Sequence, residues 1–201
     1  EMRSYQKDAL EAMLKTDHAS IEIPTGGGKS LIITNILMKN PVKTLIIAPL
    51  SDIADQLYSS LLRVFGPQYV AKYSSTKTRK SALFTIATAQ ALTRVDSKHN
   101  AWDELSSSEQ IIFDESHTCP AETFKAVCLD GVGKNARYRY FVSATQMRAD
   151  GSDMLLRGII GPTVYRLDVK DLVSQGFLKE ISVTFLTVPA AFGVSSDPNT
   201  E

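Results

Sequence analysis

Gly26-Gly27-Gly28-Lys29-Ser30 and Asp114-Glu115 are the residues of this 201-residue chain whose types and spacing suit joint chemistry. Glycines lack Cβ atoms, so the backbone there can wrap a phosphate closely and aim several N–H groups at it. In the pattern G-x-x-x-x-G-K-[ST], the lysine reaches the β- and γ-phosphates and the hydroxyl ligates Mg²⁺. Lys29 and Ser30 take those roles, with Thr25, Gly26, Gly27 and Gly28 as the cradle. The first glycine of the pattern is Ile23 here, while T-G-x-G-K-[ST] stands intact. Asp114 is placed to hold Mg²⁺ and Glu115 to orient and deprotonate an attacking water. The two stretches together imply binding and hydrolysis of a nucleoside triphosphate.

These groups must be held by particular elements. Ile21-Glu22-Ile23 reads as a strand entering the loop, and residues 31–38 read as a helix apolar nearly all round and therefore buried. A helix starting at the loop adds unpaired N–H donors and the positive end of its dipole. Gln110-Ile111-Ile112-Phe113 is a strand-type run ending directly in the acidic pair, which puts Asp114 at a strand's carboxyl end, where open α/β sheets bind ligands. Further strands are expected at 44–48, 83–87, 138–142, 164–167 and 181–188. Helices are expected at 5–15, capped by Ser4, and at 51–65, capped by Ser51 and ended by Gly66-Pro67. Others are expected near Trp102, after Pro120 and around 154–156. Strands alternating with helices imply a mostly parallel sheet covered by helices on both faces.

Asp114-Glu115-Ser116-His117 resembles motif II of the superfamily 2 helicases and translocases, the DEAD/DEAH-box-like group. Other stretches resemble that family in its order. Arg3-Ser4-Tyr5-Gln6 is similar to the adenine-recognising glutamine motif, Ala48-Pro49-Leu50 with Asp55-Gln56-Leu57 to motif Ia, Thr88-Ala89-Gln90-Ala91-Leu92 to the next nucleic-acid motif, and Ser143-Ala144-Thr145 to motif III. Arg148, Asp150-Gly151, residues 161–165, Asp171-Leu172-Val173 and Gly176-Phe177-Leu178 resemble the branch of restriction-enzyme motors, excision-repair helicases and phage recombination helicases. The resemblance implies a RecA-like P-loop NTPase domain that uses ATP and Mg²⁺. It implies that Gln6 reads adenine with Arg3 beside the base. It also implies that His117, Ser143 and Thr145 couple hydrolysis to nucleic-acid grip, and that Pro49, Leu50, Ser51, Thr88 and Gln90 touch a nucleic-acid backbone. The branch points to DNA; His117 also occurs in DEAH-box RNA helicases, so RNA stays the alternative, as does a nucleotide-binding interaction module without turnover. Residues 1–188 are expected to be the ATP-binding first motor domain, and 189–201 a loose tail or linker toward a second RecA-like domain. A first lobe alone is expected to hydrolyse ATP weakly or not at all.

Composition limits the remaining classes. Hydrophobic residues make up 43% of the chain, enough for a real core. With 22 basic and 22 acidic side chains the formal charge is zero, which argues against a partner held mainly by charge. The basic run from Lys72 to Lys80 could touch a backbone or simply be a solvated loop. No stretch is apolar and long enough to span a membrane. The two cysteines, Cys119 and Cys128, and three scattered histidines make no zinc pattern. Reduced thiols fit a cytoplasmic protein, bacterial or phage-encoded, or a nuclear one in a eukaryote.

Overall fold

The computed structural model describes residues 1–73, 82–144 and 158–179. The chain runs α1 (Ser4–Leu14), β1 (His18–Glu22), α2 (Lys29–Lys39), β2 (Thr44–Ala48), α3 (Ser51–Phe65), β3 (Val70–Lys72), β4 (Phe84–Thr88), α4 (Ala89–Leu92), α5 (Trp102–Ser106) and β5 (Gln110–Asp114). A 3-10 turn (Ser116–Thr118), α6 (Ala121–Cys128), β6 (Tyr138–Ser143), β7 (Thr163–Arg166) and α7 (Val169–Ser174) follow.

The seven strands form one sheet in the order β3-β4-β2-β5-β6-β1-β7, and every pairing is parallel. Every residue of β2 and β5 is buried, as expected of strands covered on both faces. Successive side chains point to opposite faces, so β2, β4, β5 and β6 each feed two cores. Ile46, Ala48, Ile112, Tyr140 and Val142 join α1, α2, α3 and α7 on one side. Leu45, Ile47, Ile111, Phe113 and Phe141 join α4, α5 and α6 on the other. There Phe113 stacks on Phe141 at 5.0 Å between centroids and leans on Phe124 at 4.8 Å, so the strand that ends in the acidic pair rests on a rigid aromatic base.

The register fixes the level of the strand ends. Glu22 pairs with Ser143 and Asp114 with Val142 across β1-β6-β5. The carboxyl ends of β1, β5 and β6 therefore share one rim of the sheet, with β6 between the other two.

Some local expectations are corrected. The N-cap of α1 is Arg3, not Ser4, and its backbone N–H is satisfied by Oε1 of Gln6 at 2.9 Å. The N-cap of α3 is Leu50, with Ser51 as the first helical residue. α2 is not buried all round: Leu31 and Met38 are 38% and 50% exposed, because only one side of that helix meets the sheet. Lys72 lies on β3 and pairs with Asp55 at 2.6 Å, so that end of the basic run is tied to α3. The rest of the run, the helix expected at 154–156, the strand expected at 181–188, the tail, Arg148 and Asp150-Gly151 lie outside the described residues, as does Thr145.

Candidate functional site

The loop between β1 and α2 has the backbone its sequence calls for. Gly26 and Gly28 have φ of 85° and 80°, the left-handed region that side chains with a Cβ avoid. A Cβ on Gly28 would collide with Nε2 of Gln6, and one on Gly27 with the Cγ2 of Ile23. Ile23, which replaces the pattern's first glycine, is fully buried and packs where the loop turns back, its N–H donating to the Ser143 carbonyl at 2.8 Å. Gly28 caps α2, so the helix's first N–H groups face the loop.

Lys29 is the first residue of α2 and only 7% exposed. Its Nζ donates to the Ile23 carbonyl at 3.3 Å and lies 3.0 Å from Oε1 of Glu115. The two motifs thus meet directly. Glu115 has φ 48° and ψ 44°, the only non-glycine positive φ among the described residues. Such a conformation costs on the order of 1 kcal/mol and persists where surroundings enforce it. Here it turns the chain out of β5 into the 3-10 turn, where the glutamate reaches Lys29.

Asp114 is 5% exposed, and its Oδ1 accepts the Glu115 N–H at 3.0 Å. Burial above all, and then the Glu115 charge, raise its pKa from 3.8 to about 6, against the opposing pull of Lys29 and of that N–H. Ser30, Asp114 and Glu115 line a cavity of about 220 Å³ together with Ile53, Gln56, Leu57 and Ser60 of α3. A hydroxyl and a carboxylate in one cavity are the oxygen donors that Mg²⁺ takes. Thr25 is exposed at the mouth of the loop.

Gln6 is buried against the loop, its Nε2 donating to the Gly27 carbonyl at 2.9 Å. The same carbonyl accepts the Tyr5 hydroxyl at 2.9 Å, and Arg3 Nη1 donates to that hydroxyl at 3.1 Å. The glutamine motif is therefore welded to the phosphate loop. Ser143 is buried at the end of β6, between the strands that carry the loop and the acidic pair. His117 lies in the 3-10 turn after Glu115. The five nucleic-acid candidates come together: Pro49, Leu50, Ser51, Thr88 and Gln90, with Asp52, line one groove of about 340 Å³ at the ends of β2 and β4. Leu50 is 64% exposed there, and the Thr88 hydroxyl accepts the Ala91 N–H at 3.3 Å.

Sequence reasoning gave no role to Tyr5, Phe177 or Leu178. A Cβ on Gly26 would stand 3.2 Å from Leu178, and the Arg3 guanidinium carbon lies 4.3 Å from the Phe177 ring centre. The pairing joins the two ends of the described chain, which no spacing rule could reveal.

A family model described as Type III restriction enzyme, res subunit, matches residues 1–148. The chain belongs to this family. Its fold is the first RecA-like domain of the superfamily 2 helicases. The chain is 29% identical over 181 residues to the DNA 3'-5' translocase XPB2 of Sulfurisphaera tokodaii, covering 89% of itself and 38% of that protein. It therefore spans well under half of that relative. Its fold is similar to the UvsW helicase of bacteriophage T4, with a TM-score of 0.70 at 20% identity over 81% of this chain and 59% of the other. It is also similar to the SWI2/SNF2 ATPase core of Sulfolobus solfataricus in complex with dsDNA, with a TM-score of 0.61 at 20% identity over 80% and 33% of the two chains. Among the described residues no helix is long and apolar enough to cross a membrane.

Proposed function

We propose that this chain is the ATP-binding motor domain of an ATP-dependent DNA helicase or translocase. The observation that carries this reading is the 3.0 Å contact of Lys29 Nζ with Glu115 Oε1, beside a cavity walled by Ser30, Asp114 and Glu115. Phosphates held on the N–H groups of Gly26 to Ser30 compete for the Lys29 ammonium. As Lys29 turns to them, Glu115 Oε1 is released to orient a water and accept its proton. Ser30 and Asp114 would hold Mg²⁺, which when bound offsets the charge developing on the transferred phosphoryl group. A buried carboxylate whose pKa is raised to about 6 by burial and by the neighbouring Glu115 charge suits that cation well.

Gln6 has two amide hydrogens and two lone pairs, and the bonds to Gly27 and Arg3 use one of each. The remaining hydrogen and lone pair match N7 and the N6 amine of adenine, which favours ATP. The groove at the ends of β2 and β4 takes a DNA backbone on hydroxyls, amides and the exposed Leu50. Asp52 in its wall opposes phosphate, so grip there rests on hydrogen bonds more than on charge. His117, Ser143 and Thr145 link the two sites. Residues 1–188 form the domain, and 189–201 lead to a second RecA-like lobe that supplies the groups needed for full turnover. Such a motor works where ATP and DNA meet, in a bacterial or phage-infected cytoplasm or a eukaryotic nucleus.

The test is ATP turnover by the full-length protein with and without DNA or RNA. DNA stimulation of wild type, lost in Glu115→Gln with ATP binding retained, supports the reading. Stimulation by RNA alone moves the assignment to the RNA helicases, and unchanged turnover in Glu115→Gln removes Glu115 as the base.

A further inference from the structure

The base end of the site is closed by residues from both ends of the described chain. After α7, Phe177 and Leu178 both donate their N–H groups to the Leu172 carbonyl, at 2.8 and 3.1 Å. Gly176, with φ 73°, provides the reversal. The turn carries Phe177 back onto α1, where its ring lies 5.6 Å from that of Tyr5, tilted by 58°. The Arg3 guanidinium carbon sits 4.3 Å from the Phe177 centroid. Arg3 Nη1 is anchored to the Tyr5 hydroxyl at 3.1 Å, and that hydroxyl to the Gly27 carbonyl at 2.9 Å. A flexible cation is thus fixed between a phenyl ring and a hydroxyl that is itself bonded to the phosphate loop. Arg3 remains exposed although one side of its guanidinium is covered. A planar guanidinium stacks on aromatic planes from either side.

We propose that Phe177 is a positioning residue for the nucleotide base. Its ring holds the Arg3 guanidinium so that the uncovered side forms a platform on which the purine stacks, next to Gln6. The inference rests on the reading of the glycine loop as an ATP site and deepens it. It also gives the segment after α7 a function: Leu178 lies against Gly26, so the turn that carries the base platform touches the phosphate cradle as well.

The experiment is binding of ATP and of inorganic tripolyphosphate, which has no base, to the full-length protein. Removing one side of a guanidinium–aromatic stack should weaken ATP binding about three- to tenfold in Phe177→Ala. Tripolyphosphate binding should stay unchanged, Phe177→Trp should restore the ATP affinity, and Arg3→Ala should give no further loss on top of Phe177→Ala. If Phe177→Ala weakens both ligands equally, or neither, the positioning role is wrong and the ring only packs the chain ends together. Phe177→Leu, which keeps the apolar bulk without a flat ring, decides the matter should the alanine variant fold poorly: it must show the same selective loss for ATP. Lys29→Ala separates this idea from its foundation. If that change leaves tripolyphosphate binding intact, the phosphate-loop reading itself fails; if it abolishes binding while Phe177→Ala is silent, only the platform is overturned.

Discussion

Asp114→Asn should make the folded chain more stable while abolishing the divalent-cation binding proposed for this carboxylate. Burial and the adjacent Glu115 charge raise the Asp114 pKa from 3.8 to about 6. Each unit corresponds to about 1.4 kcal/mol, so the ionised carboxylate destabilises the fold at neutral pH by up to roughly 3 kcal/mol. The sign follows from proton binding. Between the unfolded and folded pKa values the folded chain holds the extra proton, so stability is full near pH 4 and falls as pH rises toward 6, then stays low. Asparagine has nearly the same shape and cannot ionise. The variant should exceed wild type by about 1 to 3 kcal/mol above pH 7, and the gap should close toward pH 4. For a domain of this size that is a Tm difference of roughly 3–10 °C. Urea melts in chelator, free of nucleotide and run at several pH values, read the gap directly. Adding Mg²⁺ and ATP should then stabilise wild type and leave the variant unmoved. A variant no more stable than wild type at neutral pH, or a gap independent of pH, refutes the claim that Asp114 is a desolvated carboxylate awaiting a cation.

Glu115→Gln should lower turnover by at least about a hundredfold, as expected on removing a general base, with ATP affinity within a few fold of wild type by calorimetry. Gly28→Ala combines a left-handed backbone with a collision against Gln6, and should both lower stability by more than about 1 kcal/mol in denaturant melts and weaken ATP binding. Phe113→Ala opens the aromatic base under the acidic pair and should lose about 3–5 kcal/mol of stability in the same assay. Leu50→Asp, at a site 64% exposed, should leave Tm within about 1 °C of wild type yet reduce DNA stimulation of ATPase in the full-length protein.

Much of this was legible because the informative residues are local. β2 coincides with the apolar run 44–48, and α3 with 51–65, because a strand buried on both faces and a glycine-ended helix leave strong marks. The meeting of Lys29 with Glu115 was implied by two motifs, each at the carboxyl end of a strand in one parallel sheet. What escaped depends on tertiary partners. β3 is three residues long and exists by pairing with β4, so it carries no period of its own. α7 is six residues long, held by Asp168 and Asp171 at its start and by Leu172 in the core. Ser4 suggested a cap, but the glutamine three residues into the helix bonds the Arg3 N–H instead, so side-chain reach outweighed residue preference. The Phe177–Arg3 stack joins residues far apart in sequence, and Gly176-Phe177-Leu178 pointed only to a branch of the family.

The central claim is that the glycine loop and the carboxylates hold one metal-bound nucleotide between them. Mn²⁺ replaces Mg²⁺ in such sites and is visible by electron paramagnetic resonance. Titrated with ATP into the protein, Mn²⁺ should be immobilised in wild type and released in both Ser30→Ala and Asp114→Asn. Mn²⁺ that stays bound with ATP when either oxygen is removed would contradict the account.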